Sequence, residues 1–303
     1  MAAEKLRIKD YLGSIRPVIA PSHARVVKRV VLYVVAISLG VLFMLPFAWT
    51  VSSSLKTPWE MFSFPPLFFP EQPQFQNYSR VFTEFSFGLW YKNTLIVVVL
   101  HTLGVVLSCS LVAYGFARFE FRFKGVLFVI VLATLMIPAQ VTLIPRFILF
   151  HHIGWLDTLL PLWAPAWVAG TPTAALGIFL MRQFLKTLPR DLDEAAVLDG
   201  ASYFRVYWNI LMPLCKPALA TLAIITAIST WNEFLDAVVF LSSSENFTIA
   251  IGLWYFSAQP MDFEPLTHLL MAASVTAILP PILLFFAFQR YFVRGIALTG
   301  LKG

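Results

Sequence analysis

Charge is scarce in this sequence. Asp and Glu number 16 and Lys and Arg 22 among 303 residues, 13% of the chain, where soluble globular domains carry about 25%. So few charges cannot cover a water-facing surface, and 59% of the residues are apolar; the composition excludes an ordinary soluble protein and implies an integral membrane one. Cysteine is scarcer still. Cys109 and Cys215 stand alone and build no disulfide framework. Missing altogether are GxxxxGK[ST], HExxH and GxSxG, so the chain offers no Walker A loop for nucleotide phosphates, no paired zinc histidines and no nucleophile elbow. His151 and His152 are adjacent, so on a helix they point about 100° apart and share no metal. No catalytic residue, metal or cofactor is expected. The formal net charge of +6 comes from scattered basic residues, and no nucleic-acid motif accompanies them.

What the sequence does hold is long apolar runs. A span needs roughly 20 such residues, and six stretches qualify: about Val26–Val51, Thr94–Ala117, Gly125–Phe150, Leu159–Met181, Leu214–Leu241 and Leu269–Phe292. Pro138 and Pro145 interrupt the third; Pro161, Pro165 and Pro172 interrupt the fourth. Such segments are expected inside a bundle, where neighbours satisfy the freed backbone groups. The first run is too long for a signal-peptide core and should stay as a span. Of the 22 basic residues only Lys56, Arg80, Lys92 and Arg146 fall on one side of this arrangement. The positive-inside rule therefore puts both termini in the cytoplasm. The expected fold is an all-α, six-span polytopic membrane protein. It has a tail over 1–25, a first span over 26–51 with an external loop to 93, a five-helix core over 94–292, and a C-terminal tail over 293–303.

One cytoplasmic loop, 189–213, is more than a connector. Pro189 precedes Asp191 as a candidate N-cap, and Glu194 follows three residues later, a capping-box pattern. Ala195 and Ala196 favour helix and allow close approach. Gly200 suits the left-handed position that ends a helix. Ser202 can cap a second helix over Tyr203–Met212, ended by Pro213. Tyr203, Val206, Tyr207, Ile210 and Leu211 share one side of it. A helix–Gly–helix with an exposed apolar face is either an amphipathic element on the membrane surface or a docking knob for another protein.

The run EAAVLDGASYFRVYWNILMP resembles the EAA loop of inner-membrane permease subunits of ATP-binding-cassette importers. Glu194, Ala195, Ala196, Gly200, Ile210 and Pro213 occupy the motif positions, with Asp199 beside them; Met212 and Tyr207 are mild departures. The resemblance continues through IPAQVTLIPRFILFHHIGWLDT, WNEFLDA and QRYFVRGIALTGLKG, and is to the carbohydrate-importer branch. It implies that the loop docks in a cleft of a cytoplasmic ATPase dimer. It also implies a second, similar permease subunit, an extracytoplasmic solute-binding protein, a sugar substrate and a place in the bacterial inner membrane. The fifth loop would meet the solute-binding protein through Ser257, Ala258, Gln259, Pro260, Met261 and Asp262, and the tail at Gly300–Gly303 would reach toward the ATPase.

A polar series marks the fifth span: Thr226, Ser229, Thr230, Trp231, Asn232, Glu233 and Asp236. Thr226, Ser229 or Thr230, Glu233 and Asp236 recur at helical steps and line one face. A carboxylate within a span should face protein or water. The series is either a hydrogen-bonded seam between helices or the lining of a translocation path, with Trp231 as a sugar-stacking surface. A proton-coupled secondary transporter would use Glu233 and Asp236 as its proton sites, but leaves the capped loop unexplained.

Overall fold

In the computed structural model, residues 23–258 and 266–300 are described, with side chains over 26–258 and 266–289. The expectations for the N-terminal tail before residue 23, for Gln259, Pro260, Met261 and Asp262, and for the last three residues lie outside the described residues. Every regular element among those described is helical. The chain parts into two units between Thr50 and Val51. The first contributes the apolar body of α1 (His23–Ser54). Its side chains from Val26 to Leu45 are exposed, Phe43 at 77%. A helix apolar on every side is a surface suited to lipid or to other spanning helices.

The second unit contains α2 (Gln76–Thr83), α3 (Phe87–Arg118), α4 (Lys124–Ala133), α5 (Leu143–His152), α6 (Leu160–Trp163), α7 (Ala174–Thr187), α8 (Asp191–Leu198), α9 (Tyr203–Leu214), α10 (Lys216–Trp231), α11 (Leu235–Phe240), α12 (Ile249–Ala258) and α13 (Thr267–Gly300). The loop into α2 is built on polar groups. The buried Lys56 Nζ donates to Leu67 O at 2.6 Å, and Asn77 Nδ2 donates to Ser54 O and Lys56 O at 2.9 Å. This leaves Trp59, Phe64, Phe69 and Phe75 exposed.

The unit is organised around α3, whose residues enter all three buried apolar clusters. One cluster joins its Cys109 and Ala113 to Met181 of α7, Ala196 of α8, Tyr207 and Leu211 of α9 and Leu222 of α10. A second joins Trp90 to Trp231, Phe256 and Leu269. The third joins Val97 to Phe150, Phe240 and Ile251. Contact with α12 is close at Gly252, where an added Cβ would lie under 3.0 Å from three ring carbons of Trp90. No side chain larger than hydrogen fits there without movement.

Among the described residues three helices are long and apolar enough to cross a membrane: Val26–Ser54, Phe87–Arg118 and Thr267–Gln289. Two bent pairs raise the number to five: Lys124–Met136 with Ala139–His152, at 97°, and Tyr203–Leu214 with Lys216–Trp231, at 79°. The protein is thus an all-α, multi-pass membrane protein, but several expected spans are not straight rods. The third turns at Pro138: Ile137 before it is extended at ψ 116°, as a residue preceding proline prefers. Pro145 breaks nothing, because it falls in the first turn of α5, where no N–H is required. The fourth resolves into α6, a tight turn over Ala164–Val168 and the 14-residue α7, with Ala169 left-handed at φ 53°.

The fifth expected span stops at Trp231 instead of running to Leu241. Asn232 ends it, its Nδ2 donating to Ile228 O at 2.7 Å and its N–H to the same carbonyl at 3.3 Å. Glu233, two residues before α11, accepts the Asp236 N–H on its Oε1 at 3.1 Å.

Candidate functional site

Two features carry the residues singled out above, and the first is the loop between α7 and α10. Asp191 does not cap α8. It is the first helical residue, Arg190 precedes it without a side-chain cap, and no capping box forms. The acidic first turn of Asp191, Asp193 and Glu194 instead answers the positive end of the helix. The other end matches expectation. Gly200 has φ 80°, Ala201 N–H donates to Ala196 O at 2.9 Å, and Gly200 N–H donates to Val197 O at 3.0 Å. These are the two bonds of a Schellman motif, and Ala201 packs against the cluster that holds Ala196.

Ser202 caps α9, its Oγ accepting Arg205 N–H at 3.3 Å. Pro213 stands one residue before the end of that helix at Leu214. Val206–Leu211 form a wide π turn, and Pro213 falls in the short α turn, Met212–Leu214, that closes the helix.

The expected apolar side is divided. Val206, Tyr207 and Leu211 are buried and Ile210 packs beside them, while Leu198, Tyr203, Phe204 and Trp208 are exposed at 88, 60, 63 and 49%. Phe204 and Trp208 lie stacked, 12° between ring planes. Glu194, Ala195 and Asp199 are also exposed; Ala196 faces the core.

This knob is fastened to the end of α3. Arg118 Nε lies 2.7 Å from Asp193 Oδ2, with only 6% of the arginine side chain exposed. Its Nη1 and Nη2 both donate to Leu188 O at 3.2 Å. Tyr114 donates to Tyr203 O at 3.1 Å, and the Ser110 and Tyr207 hydroxyls meet at 2.8 Å. Burial pushes the Asp193 carboxyl above the usual carboxylate range, and the Arg118 charge opposes that rise. Neither Arg118 nor Asp193 belonged to the sequence-level site. Their separation of 75 positions leaves no local pattern to find.

The second feature is a cavity of about 650 Å³ walled by α3, α5, α10, α11 and the turns between them. Thr226, Ser229, Thr230, Glu233 and Asp236 all reach it, although the break after Trp231 divides them between two helices. Trp231 and Asn232 do not line it. The Trp231 ring is buried against Tyr91, and its Nε1 donates to Ala277 O at 3.1 Å, so the sugar-stacking role is corrected to a packing one. Asn232 is spent on the helix end.

Arg146 of α5 enters the same wall in a bidentate pair with Asp236: Nη1 to Oδ2 at 2.6 Å and Nη2 to Oδ1 at 2.7 Å. It lies 5.5 Å from the Phe240 ring centroid. A lone arginine in the apolar run LIPRFILF was itself a sequence signal for such a partner. His101 Nδ1 sits 2.8 Å from Leu162 O, and Gln140, Thr171, Thr173 and Thr248 are further polar groups on the wall.

Behind the cavity, Asp157 ties two loops together. It accepts N–H bonds from Ser242 at 2.9 Å and Ser243 at 2.8 Å, and a short bond from the Ser243 hydroxyl. Its own N–H donates to Phe240 O at 2.8 Å. These bonds, the Ser243 hydroxyl first, hold its carboxyl down at about 2. Of the fifth-loop residues, Ser257 and Ala258 are exposed at the end of α12, and the Ser257 hydroxyl is engaged by Trp254 O.

Residues 102–298 match the family described as binding-protein-dependent transport system inner membrane component. The chain belongs to that family. The permease is 32% identical over 283 residues to the trehalose/maltose transport system permease protein MalG of Thermococcus litoralis, covering 92% of this chain and 98% of that one. It is 34% identical over 235 residues to the arabinooligosaccharides transport system permease protein AraQ of Bacillus subtilis, covering 77 and 81%. Its fold is that of a chain in a crystal structure of a bacterial ABC transporter involved in import of the acidic polysaccharide alginate. There the TM-score is 0.78 at 24% identity, over 89% of this chain and 98% of that one. It is a permease subunit of an ABC importer and not an enzyme; ATP hydrolysis belongs to a separate subunit. With Asp236 held by Arg146 and the family established, the proton-coupled carrier is set aside.

Proposed function

We propose that the permease forms one half of a pathway importing a sugar or related polyol, beside a second, similar permease subunit. A cytoplasmic ATPase dimer docks on the knob of α8 and α9 around Glu194, Ala195, Ala196, Asp199, Gly200, Ile210 and Pro213. An extracytoplasmic solute-binding protein delivers the sugar near Ser257, Ala258 and the following loop. In this reading both termini and the knob are cytoplasmic, and a sixth crossing is supplied by the interrupted stretch from Leu160 to Thr187.

The observation that supports it best is the knob. Exposed Leu198, Tyr203, Phe204 and Trp208 sit on a fold closed by Gly200 and anchored by the Arg118–Asp193 pair, as a part that transmits force requires. Closure of the ATPases displaces the knob, α3 moves with it, and the cavity changes the side it faces. The test is purification from native membranes with identification of every companion. An ATPase, a second permease and an external binding protein are expected. Cysteine at Ser202 should be shielded from impermeant reagent in intact cells, and cysteine at the exposed Ser244 should react. Reaction at 202 from outside would overturn the arrangement.

A further inference from the structure

The cavity wall is unusual in its charge. Among the described residues its only permanent cation is Arg146, and both ends of that guanidinium are already committed to Asp236. Glu233 adds a carboxylate that faces no cation: its Oε1 meets only the Asp236 N–H, and the side chain is exposed within the chain. With His101 counted as neutral, the wall carries a formal charge of −1. The remaining polar side chains, among them Gln140, Thr226, Ser229, Thr230 and Thr248, are uncharged and suit hydroxyls as both donors and acceptors. Phe150 and Trp155, stacked at 18°, supply an aromatic surface beside them. The volume is within the range of small-molecule pockets.

We infer that this cavity accepts uncharged, hydroxyl-rich solutes and turns acidic sugars away, with Glu233 and Asp236 setting that choice. This rests on the cavity being part of the pathway proposed above. A solute carboxylate entering the wall finds no free cation and one unopposed carboxylate. In a site partly screened from water, that repulsion weakens binding on the order of tenfold or more. Substitution moves the wall stepwise. Glu233→Gln brings its formal charge to zero, Asp236→Asn does the same by releasing Arg146, and both together leave a free guanidinium, the group best shaped to hold a carboxylate.

The experiment uses the permease complex with its ATPase, purified without the binding protein so that no upstream selection intervenes. It is titrated calorimetrically with maltotriose and with trigalacturonate, equal in length and different in charge. Wild type should favour the neutral sugar by on the order of tenfold, with a smaller gap at high salt. Glu233→Gln should narrow the gap, and the double variant should reverse it. ATPase co-purification reports assembly, and Glu233→Gln, at an exposed side chain, serves if the double variant does not assemble. Equal or tighter binding of trigalacturonate by wild type overturns the charge argument, as does a substitution series that leaves the ratio unmoved. Binding of neither sugar overturns the cavity as a solute site, while the docking of the ATPase on the knob, tested by co-purification, stands apart.

Discussion

Replacing Gly200 strains the knob through its backbone alone. An added Cβ there meets nothing within 4 Å, so no neighbour is pushed. The cost is that of holding an L-residue at φ 80°, about 1 kcal/mol for Ala and about 2 kcal/mol for β-branched Val. Relief by leaving the left-handed region would break the bonds from Ala201 to Ala196 and Gly200 to Val197, each worth about 1 kcal/mol net. Two kcal/mol is about a 30-fold shift away from the native loop. Asn tolerates this conformation far better. Solute-stimulated ATP hydrolysis and transport in proteoliposomes should therefore fall in the order Gly, Asn, Ala, Val, at equal membrane insertion. If Gly200→Asn is as damaging as Gly200→Val, side-chain bulk against the ATPase cleft is responsible and the backbone argument fails. Wild-type transport by Gly200→Val would refute the coupling role.

Arg118→Ala leaves a largely buried carboxylate uncompensated, a loss of about 3 kcal/mol, at the low end for buried pairs because Asp193 is partly exposed; amide exchange across Asp191–Leu198 should quicken, and unchanged exchange would remove the pair as an anchor. Gly252→Ala should lower thermal stability in detergent by about 1–3 kcal/mol. Adding Trp90→Phe should cost less than the sum of the two changes, whereas simple additivity would deny the contact. Asp157 has a folded-state value of about 2 against 3.8, so its stabilisation is complete above 3.8 and lost as pH falls toward 2. After discounting for exposure it is worth about 1 kcal/mol. Asp157→Asn should flatten stability over that window, and an undiminished acid dependence would assign it to another group.

The knob was legible because its signals are local. Gly200 and Ser202 act within a few residues of themselves, and the structure gives them the conformations their chemistry prefers. Asp191 misled because an acidic residue suits the first turn as well as the cap, and only backbone geometry separates the two. The straightness of the spans was not legible. Counting apolar residues registers Pro138 and Pro145 alike, yet only the first lies where an N–H is needed. Trp231 was misplaced because its residue type suggested stacking on a sugar, whereas its place on the helix turns the ring to Tyr91 and Ala277. Arg146 and Asp236 were both visible as intramembrane charges and were assigned to different environments. Each was the other's explanation, 90 positions away.

The helix α3 is an unbroken rod with cargo at both ends. Near one end Trp90 Nε1 holds Ser244 O at 2.8 Å, Asn93 Nδ2 holds Glu245 O at 2.7 Å, and Thr94 Oγ1 accepts Ile249 N–H at 2.8 Å. At the other, Arg118 and Tyr114 hold the knob. From Trp90 to Arg118 the helix is about 42 Å long. Such a rod, pivoted at its middle, works as a lever: a tilt of about 5° swings each end by about 2 Å in opposite directions. That is enough to exchange one set of hydrogen bonds for another, so under the proposed coupling a push at the knob would be felt as a pull at the far end of the helix, with no signal relayed residue by residue between them.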